Sequence, residues 1–110
     1  MNFKLSNTIL DEIHKITKNN VEVVSGTATL DPNVPTTKLM ATSSYDVYLP
    51  NGPLGQQKVV TTTNGNGNIR VFFNNGYSGV SDDITLYDQG DMVIFWASVE
   101  GWHHRSYIYD

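Results

Sequence analysis

Hydrophobic and polar residues recur with a period of two in many segments of the chain after residue 20. The clearest case is residues 68–73, where Ile69, Val71 and Phe73 fall on the same side. Because successive side chains of a β-strand point to opposite faces, this pattern predicts a strand with one buried face. Runs rich in Gly, Asn or Pro separate the alternating segments and indicate turns. Strands are predicted over residues 21–24, 27–30, 38–42, 45–49, 57–63, 68–73, 84–87, 92–99 and 102–109.

Residues 6–18 follow a helical period instead. Ile9, Ile13 and Ile16 are spaced four and then three residues apart, which places them on one face of an α-helix. Acidic residues near the start and lysines near the end of this segment complement the helix dipole. A helix this short is stable only when it packs on something. We expect it either to lie on its own domain or to dock onto a partner.

Short strands linked by turns indicate an all-β protein. We predict an antiparallel β-sandwich or a barrel-like domain of the jelly-roll type, preceded by one short α-helix. The N-terminal helical segment covers residues 1–20, and the β-domain covers residues 21–110.

The run Met92–Ala97 breaks the alternation because it is apolar on both faces. Its even-numbered residues point one way and its odd-numbered residues the other, and all six are apolar. A chain of 110 residues has little protein left to cover a second sheet face, so we expect another subunit to cover it. The predicted interface consists of Met92, Val93, Ile94, Phe95, Phe72 and Val99.

The charge of the chain argues against a nucleic-acid partner. Seven basic residues are scattered among eleven acidic ones, which gives a net charge of −4, whereas a phosphate-backbone binder needs clustered Lys and Arg. The absence of cysteine excludes disulfides and thiolate metal sites. The first 20 residues lack the apolar region of a signal peptide, and no apolar run approaches the roughly 20 residues of a membrane span. We expect no membrane insertion.

No residue pattern predicts catalysis, a cofactor or a metal site. His103 and His104 are neighbours on a strand and therefore face opposite ways, so they are poorly placed to share a metal ion within one subunit. Three copies of one of them can still converge on an ion across a threefold axis. Asp88 and Asp91 are typical of turns rather than of calcium loops. The serines lack the strand-to-helix elbow of a hydrolase nucleophile. We therefore expect a protein that is not an enzyme.

Aromatic residues are the best candidates for ligand contact. Their flat faces can pack against sugar rings, while Asn side chains supply hydrogen bonds. Trp96 and Trp102 can equally fill space in a core or an interface. The candidates for contact with a glycan or a receptor are Tyr77, Trp102, Tyr107 and Tyr109.

The order of motifs from residue 27 onward resembles the β-rich modules of viral fibres, tail tips and virion surface proteins, which occur in bacteriophages and large DNA viruses. Such modules commonly assemble as trimers. This chain differs in carrying the helical segment 6–18 and in lacking a long repetitive shaft. The matching pieces are, in order, Tyr48–Pro50, Gly52–Gln56, Lys58–Val60, Ile69–Val71, Ile84–Leu86, Gly90-Asp91 followed by Val93–Trp96, and Trp102-His103.

The resemblance implies a non-enzymatic structural or surface protein of a virion. It implies self-assembly as a homotrimer and attachment to another capsid or fibre protein or to a host surface, including a host surface glycan. The alternative is a monomeric carbohydrate-binding β-sandwich module. The two hypotheses differ in the number of subunits that they predict.

Overall fold

The computed structural model of the protein describes residues 20–108. The helix predicted over residues 6–18 lies outside these residues, as does Tyr109. Residues 20–108 contain no helix with the length and hydrophobicity of a membrane span. The described residues form nine strands: β1 Val21–Val24, β2 Ala28–Thr29, β3 Thr36–Leu39, β4 Tyr45–Tyr48, β5 Gln57–Thr62, β6 Ile69–Asn74, β7 Ser81–Leu86, β8 Met92–Ala97 and β9 Trp102–Tyr107.

These strands form two mixed sheets, so the all-β prediction is confirmed. The first sheet has five strands in the order β1-β3-β5-β8-β9, and the second has four in the order β2-β4-β6-β7. The first six strands alternate between the two sheets: β1, β3 and β5 belong to the first sheet, and β2, β4 and β6 to the second. The chain thus makes three successive coils, and each coil contributes one strand to each sheet. The last three strands then close the arrangement, β7 in the second sheet and β8 and β9 in the first.

The prediction of antiparallel sheets was wrong for four strand pairings. The pairs β1–β3, β3–β5, β2–β4 and β4–β6 are parallel, and only β5–β8, β6–β7 and β8–β9 are antiparallel. The reason is that the chain crosses to the other sheet after each early strand and returns in the same direction, which makes neighbours in a sheet parallel. A jelly roll is built from antiparallel strands, so that part of the prediction does not describe this topology.

The alternation of each strand directs one set of side chains into a single hydrophobic core between the sheets. Phe73 of the second sheet meets Phe95 of the first edge to face, with ring centroids 5.1 Å apart. Trp102 is fully buried, and its indole N–H donates a hydrogen bond of 2.9 Å to the Pro50 carbonyl. Burial of this order contributes about 25 cal/mol per Å² of apolar surface, which makes the core the main source of stability.

Lys58 is the exception among these inward-facing residues because it is charged and fully buried. Its Nζ donates hydrogen bonds to the carbonyls of Asp31 at 2.9 Å and Val34 at 2.8 Å, and lies 3.4 Å from Glu22 Oε1. The Thr37 hydroxyl donates to the same carboxylate at 2.6 Å. Lys58 thus ties the connection between β2 and β3 to strands β1 and β5.

Candidate binding surface on the five-stranded sheet

The residues of the five-stranded sheet that point away from the core form a surface that we call the outer face. Three of its exposed members are apolar or aromatic: Val23 on the edge strand β1 is 64% exposed, Trp96 on β8 45% and Tyr107 on the other edge strand β9 46%. Between them, Val59 and Ile94 are half-buried. The strand register assigns to the outer face Val21, Val23, Thr36, Lys38, Gln57, Val59, Thr61, Met92, Ile94, Trp96, His103, Arg105 and Tyr107.

The charges on the outer face are all basic. Lys38 and Arg105 lie on it, and the described strand residues that share it include no carboxylate. Glu22 belongs to the same sheet but points inward, where it accepts hydrogen bonds from Thr37 and lies next to Lys58. The outer face is therefore locally positive on a chain of net charge −4.

The structure separates the six residues predicted to form one interface. Met92 and Ile94 lie on the outer face. Val93 and Phe95 point inward and are fully buried within the chain, so they belong to the core rather than to a contact with another copy. The run Met92–Ala97 is apolar on both faces because one face builds the core and the other belongs to the outer face.

Phe72 and Val99 lie elsewhere. Phe72 is on the outward side of the four-stranded sheet, where the guanidinium of Arg70 sits 4.8 Å from its ring centroid. Val99 is 84% exposed in the turn between β8 and β9. Neither residue shares a surface with Met92 and Ile94.

Three aromatic rings meet where β8 and β9 adjoin the loop that follows β6. Trp96 and His103 are paired across the two strands, with ring centroids 5.9 Å apart and an angle of 26° between the rings. Tyr77 meets the other side of the cluster, its ring edge to face with His103 at 4.4 Å. Tyr77 is 85% exposed, so the cluster presents aromatic surface to solvent.

Hydrogen bonds hold the loop that carries Tyr77. The Asn75 side chain accepts from the Tyr77 N–H at 2.8 Å and donates to Asp82 Oδ2 at 3.2 Å. The loop is closed by backbone bonds from Asn75 to Val80 and from Gly79 back to Asn75. These bonds fix the backbone of the loop on both sides of Tyr77.

Gly76 allows the loop to lie against His103. A Cβ at position 76 would fall 2.9 Å from the His103 ring, closer than ordinary van der Waals contact, so a side chain there would push the ring or the loop away. The Gly76 N–H donates a 2.9 Å hydrogen bond to the Trp102 carbonyl. This bond fixes the loop to the edge of β9 that faces away from β8, which we call the free side of β9. The glycine thus permits the contact that completes the aromatic cluster.

A groove of about 290 Å³ lies beside this cluster. Because the Trp102 carbonyl points away from β8 toward the loop, strand alternation directs the N–H and C=O of His104 to the same free side of β9. Arg105 also lines the groove and makes no ion pair among residues 20–108. We call this site the aromatic groove; it is lined by Asn75, Tyr77, Trp96, His103, His104 and Arg105, with Trp102 at the start of β9.

Of the residues predicted to contact a glycan, the structure places Tyr77 and Trp102 at the aromatic groove, and only Tyr77 is exposed there. Trp102 lines it from a fully buried position in the core and has no exposed ring face to offer. Tyr107 lies on the outer face, four residues or roughly 13 Å further along β9 than His103. Tyr109 lies outside the described residues.

Trp96, His103 and Arg105 belong to this site but were not predicted as members of it. The alternation of side chains along the strands could have grouped them, because all three lie on one face of the sheet once Trp96 is paired with His103. The two histidines do lie on opposite faces, as alternation predicts: His104 points inward, with its ring centroid 5.1 Å from that of Phe73.

Asp91 builds the turn between β7 and β8. Its carboxylate accepts hydrogen bonds from the backbone N–H groups of Tyr87 at 2.9 Å and Asp88 at 3.0 Å. The residues that the structure describes contain no cluster of three or more His, Cys, Asp or Glu side chains suited to holding a metal ion.

No protein-family model matches the chain, and neither does any of the curated proteins or solved structures with which it was compared.

Proposed function

We propose that this protein is a non-enzymatic structural component that assembles with copies of itself through the outer face. In this proposal the two facing sheets form a β-sandwich, and the assembled form is a homotrimer. The proposal further assigns the protein to the surface of a virion, attached to another capsid or fibre protein or to a host surface. That assignment rests on the order of the sequence motifs described above.

The observation that carries the proposal is the apolar character of the outer face on β1, β5 and β8, which the polar Thr36 and Lys38 of β3 interrupt. Valines of β1, Val59 of β5, and Met92 and Ile94 of β8 all point to the same side. Apolar side chains grouped on the outward side of a sheet are typical of an interaction surface.

The charges on the outer face favour a contact between two different surfaces. An isologous dimer would bring Lys38 and Arg105 of two copies onto one small interface with no carboxylate to pair with them. A cyclic trimer instead uses heterologous contacts, in which the outer face of one copy meets another surface of the next. The acidic residues within 20–108 all lie off the outer face, so such a contact brings opposite charges together.

The size of the outer face sets the expected affinity. Five strands spaced about 4.8 Å apart and up to six residues long, at about 3.3 Å per residue, span roughly 24 by 20 Å. The area is therefore roughly 500 Å² on one partner, which is at the lower end of specific interfaces. We expect an assembly that dissociates at micromolar rather than nanomolar concentration.

Charge substitutions on the outer face test the proposal. Ile94→Lys at the centre and Val23→Lys at the edge should each weaken association at least tenfold, because a buried unpaired ammonium is costly. Val80→Lys is the matched control, since Val80 and Val23 are both 64% exposed and Val80 lies off the outer face. Light scattering after size-exclusion chromatography measures the mass, and circular dichroism verifies the fold. Equal masses for Ile94→Lys, Val23→Lys and wild type would contradict the proposal.

A further inference from the structure

We infer that the aromatic groove is a binding site for a carboxylated sugar residue, such as a sialic or uronic acid, at the end of a saccharide. The sugar ring packs on Trp96 and Tyr77, and its carboxylate pairs with Arg105. Trp96, His103 and Arg105 of the groove also belong to the outer face, so a sugar and a second copy of the chain compete for the β8–β9 side of the sheet. Tyr77 and His104 lie outside the outer face.

The aromatic surface is the first part of the argument. Trp96 is 45% exposed and Tyr77 85% exposed, yet neither ring is isolated, because His103 lies between them and contacts both. Rings that are exposed and held in place lose little conformational entropy when a ligand covers them. The apolar C–H face of a sugar ring is a flat partner for such a surface.

Pre-organisation extends to the backbone around the groove. Gly76 is bound to the Trp102 carbonyl, and the Ser98 hydroxyl donates to the Gly76 carbonyl at 3.2 Å. The position of Tyr77 is therefore set by β9 and by the turn after β8, as well as by its own loop. A site assembled before the ligand arrives is typical of small-molecule sites.

Arg105 provides the charge that selects an acidic sugar. The other exposed arginine of the described strands, Arg70, is paired with Asp46 at 3.2 Å, whereas Arg105 makes no ion pair among residues 20–108. The seven residues that line the groove include no carboxylate. A planar guanidinium can bind a carboxylate through two parallel hydrogen bonds, which is the strongest common interaction of this type.

Polar groups for the sugar hydroxyls lie at the same place. The free side of β9 directs the His104 N–H and C=O toward the groove, one donor and one acceptor. A ring surface, a cation and the backbone of β9 at His104 therefore converge within one cavity of about 290 Å³, a volume suited to one or two sugar residues.

The test is a titration of the full chain, labelled with ¹⁵N, followed by NMR. The probes are 3′-sialyllactose and trigalacturonic acid, each compared with its methyl ester, which removes the negative charge and leaves the ring. We expect one of the two acids to shift the amide signals of residues 75–79 and 103–105 with a millimolar or lower dissociation constant. Its methyl ester should bind at least tenfold more weakly. Which acid binds distinguishes a sialic from a uronic ligand.

Matched variants locate the site. Trp96→Ala should reduce affinity at least tenfold, whereas Tyr107→Ala should not, although the two residues are equally exposed on the same face. Arg105→Gln should abolish the difference between acid and methyl ester, whereas Lys38→Gln should preserve it. Tyr77→Ala provides a variant of a residue too exposed to support the fold, and it should also weaken binding.

Three results would overturn the inference. These are the absence of binding by both acids at 10 mM to folded protein, equal binding of acid and methyl ester, and signal shifts confined to the region of Tyr107. The titrations are made in the Val23→Lys variant, in which association through the opposite edge of the sheet is weakened and the groove is unaltered. Failure here is therefore distinguishable from failure of the proposed function.

Discussion

At the scale of single residues, Lys58 is the least expected feature of the core. A buried ammonium group is tolerated only when carboxylate and carbonyl oxygens replace its water shell. Lys58 has both, from Glu22 and from the carbonyls of Asp31 and Val34. The buried side chain therefore links β1 and β5 to the loop between β2 and β3.

Replacement of Lys58 should therefore destabilise the protein strongly. We expect Lys58→Met to lower the free energy of unfolding by about 3 kcal/mol, because Glu22 and two carbonyls lose their partner. Lys38→Met, an exposed lysine on the adjacent strand, should change it by less than about 0.5 kcal/mol. Urea denaturation at pH 7 measures both values. Equal effects of the two substitutions would show that Lys58 is not held as described.

The same residue predicts a pH dependence. Burial lowers the pKa of Lys58 below its ordinary value of 10.5, and the Glu22 carboxylate opposes part of that shift. Between the lowered folded-state pKa and 10.5 the unfolded chain binds more protons than the folded one, so the free energy of unfolding gains a contribution that rises with pH. The difference in unfolding free energy between wild type and Lys58→Met should rise across this window. A difference that falls as the pH is raised would contradict the assignment.

At the scale of elements, the hairpin formed by β8 and β9 depends on close backbone packing against β6. A Cβ at Gly101 would overlap the Asn74 carbonyl oxygen. We expect Gly101→Ala to cost about 3 kcal/mol, because backbone must move to relieve the overlap. Gly26→Ala is the control, since no atom lies within 4 Å of its added Cβ. Thermal unfolding should separate the two variants clearly, and a Gly101→Ala variant as stable as Gly26→Ala would refute this packing.

Elements proved easier to predict than their pairing. Each of the nine strands overlaps a predicted one, because alternation is a property of the strand itself. The overlap is small for β3, which spans Thr36–Leu39 where residues 38–42 were predicted. β7 begins at Ser81, three residues before the predicted start. The prediction left out Ser81, Asp82 and Asp83 because they are polar, and the structure shows them exposed. They nevertheless pair with β6 at the edge of the four-stranded sheet, where a strand needs no apolar residues.

The parallel pairings lie beyond what alternation encodes. A strand shows the same pattern whether its neighbour runs parallel or antiparallel, and the direction depends on where the chain goes between the two. The first-sheet strands β1, β3 and β5 start at Val21, Thr36 and Gln57, which are 15 and then 21 residues apart. Because the spacing is this uneven, the sequence contains no repeat from which the three successive coils of the chain could be inferred.

At the scale of the whole molecule, the aromatic groove could be predicted only in part. Tyr77 was identified because a tyrosine between glycines in a loop is exposed. Trp96 is exposed in the structure, whereas Trp102 is fully buried. The sequence could not assign them, because a run that is apolar on both faces does not reveal which face points inward. The approach of residues 75–77 to β9 is a long-range contact that no local pattern specifies.

The run Met92–Ala97 also explains how far the interface could be predicted. Its two apolar faces predicted two partners, and the core supplies one of them through Val93 and Phe95. The outer face, which holds Met92 and Ile94, is the surface that we propose another copy covers. The association between chains thus rests on that surface and not on the buried residues of the same strand.

Sedimentation equilibrium of the wild-type protein over 1–200 µM tests this central claim most directly. We predict a mass of three times the 12.3 kDa of one chain at the upper concentrations, with dissociation toward the lower ones. A single species of 12.3 kDa over the whole range would contradict it, because the outer face would then remain exposed to water in the functional protein.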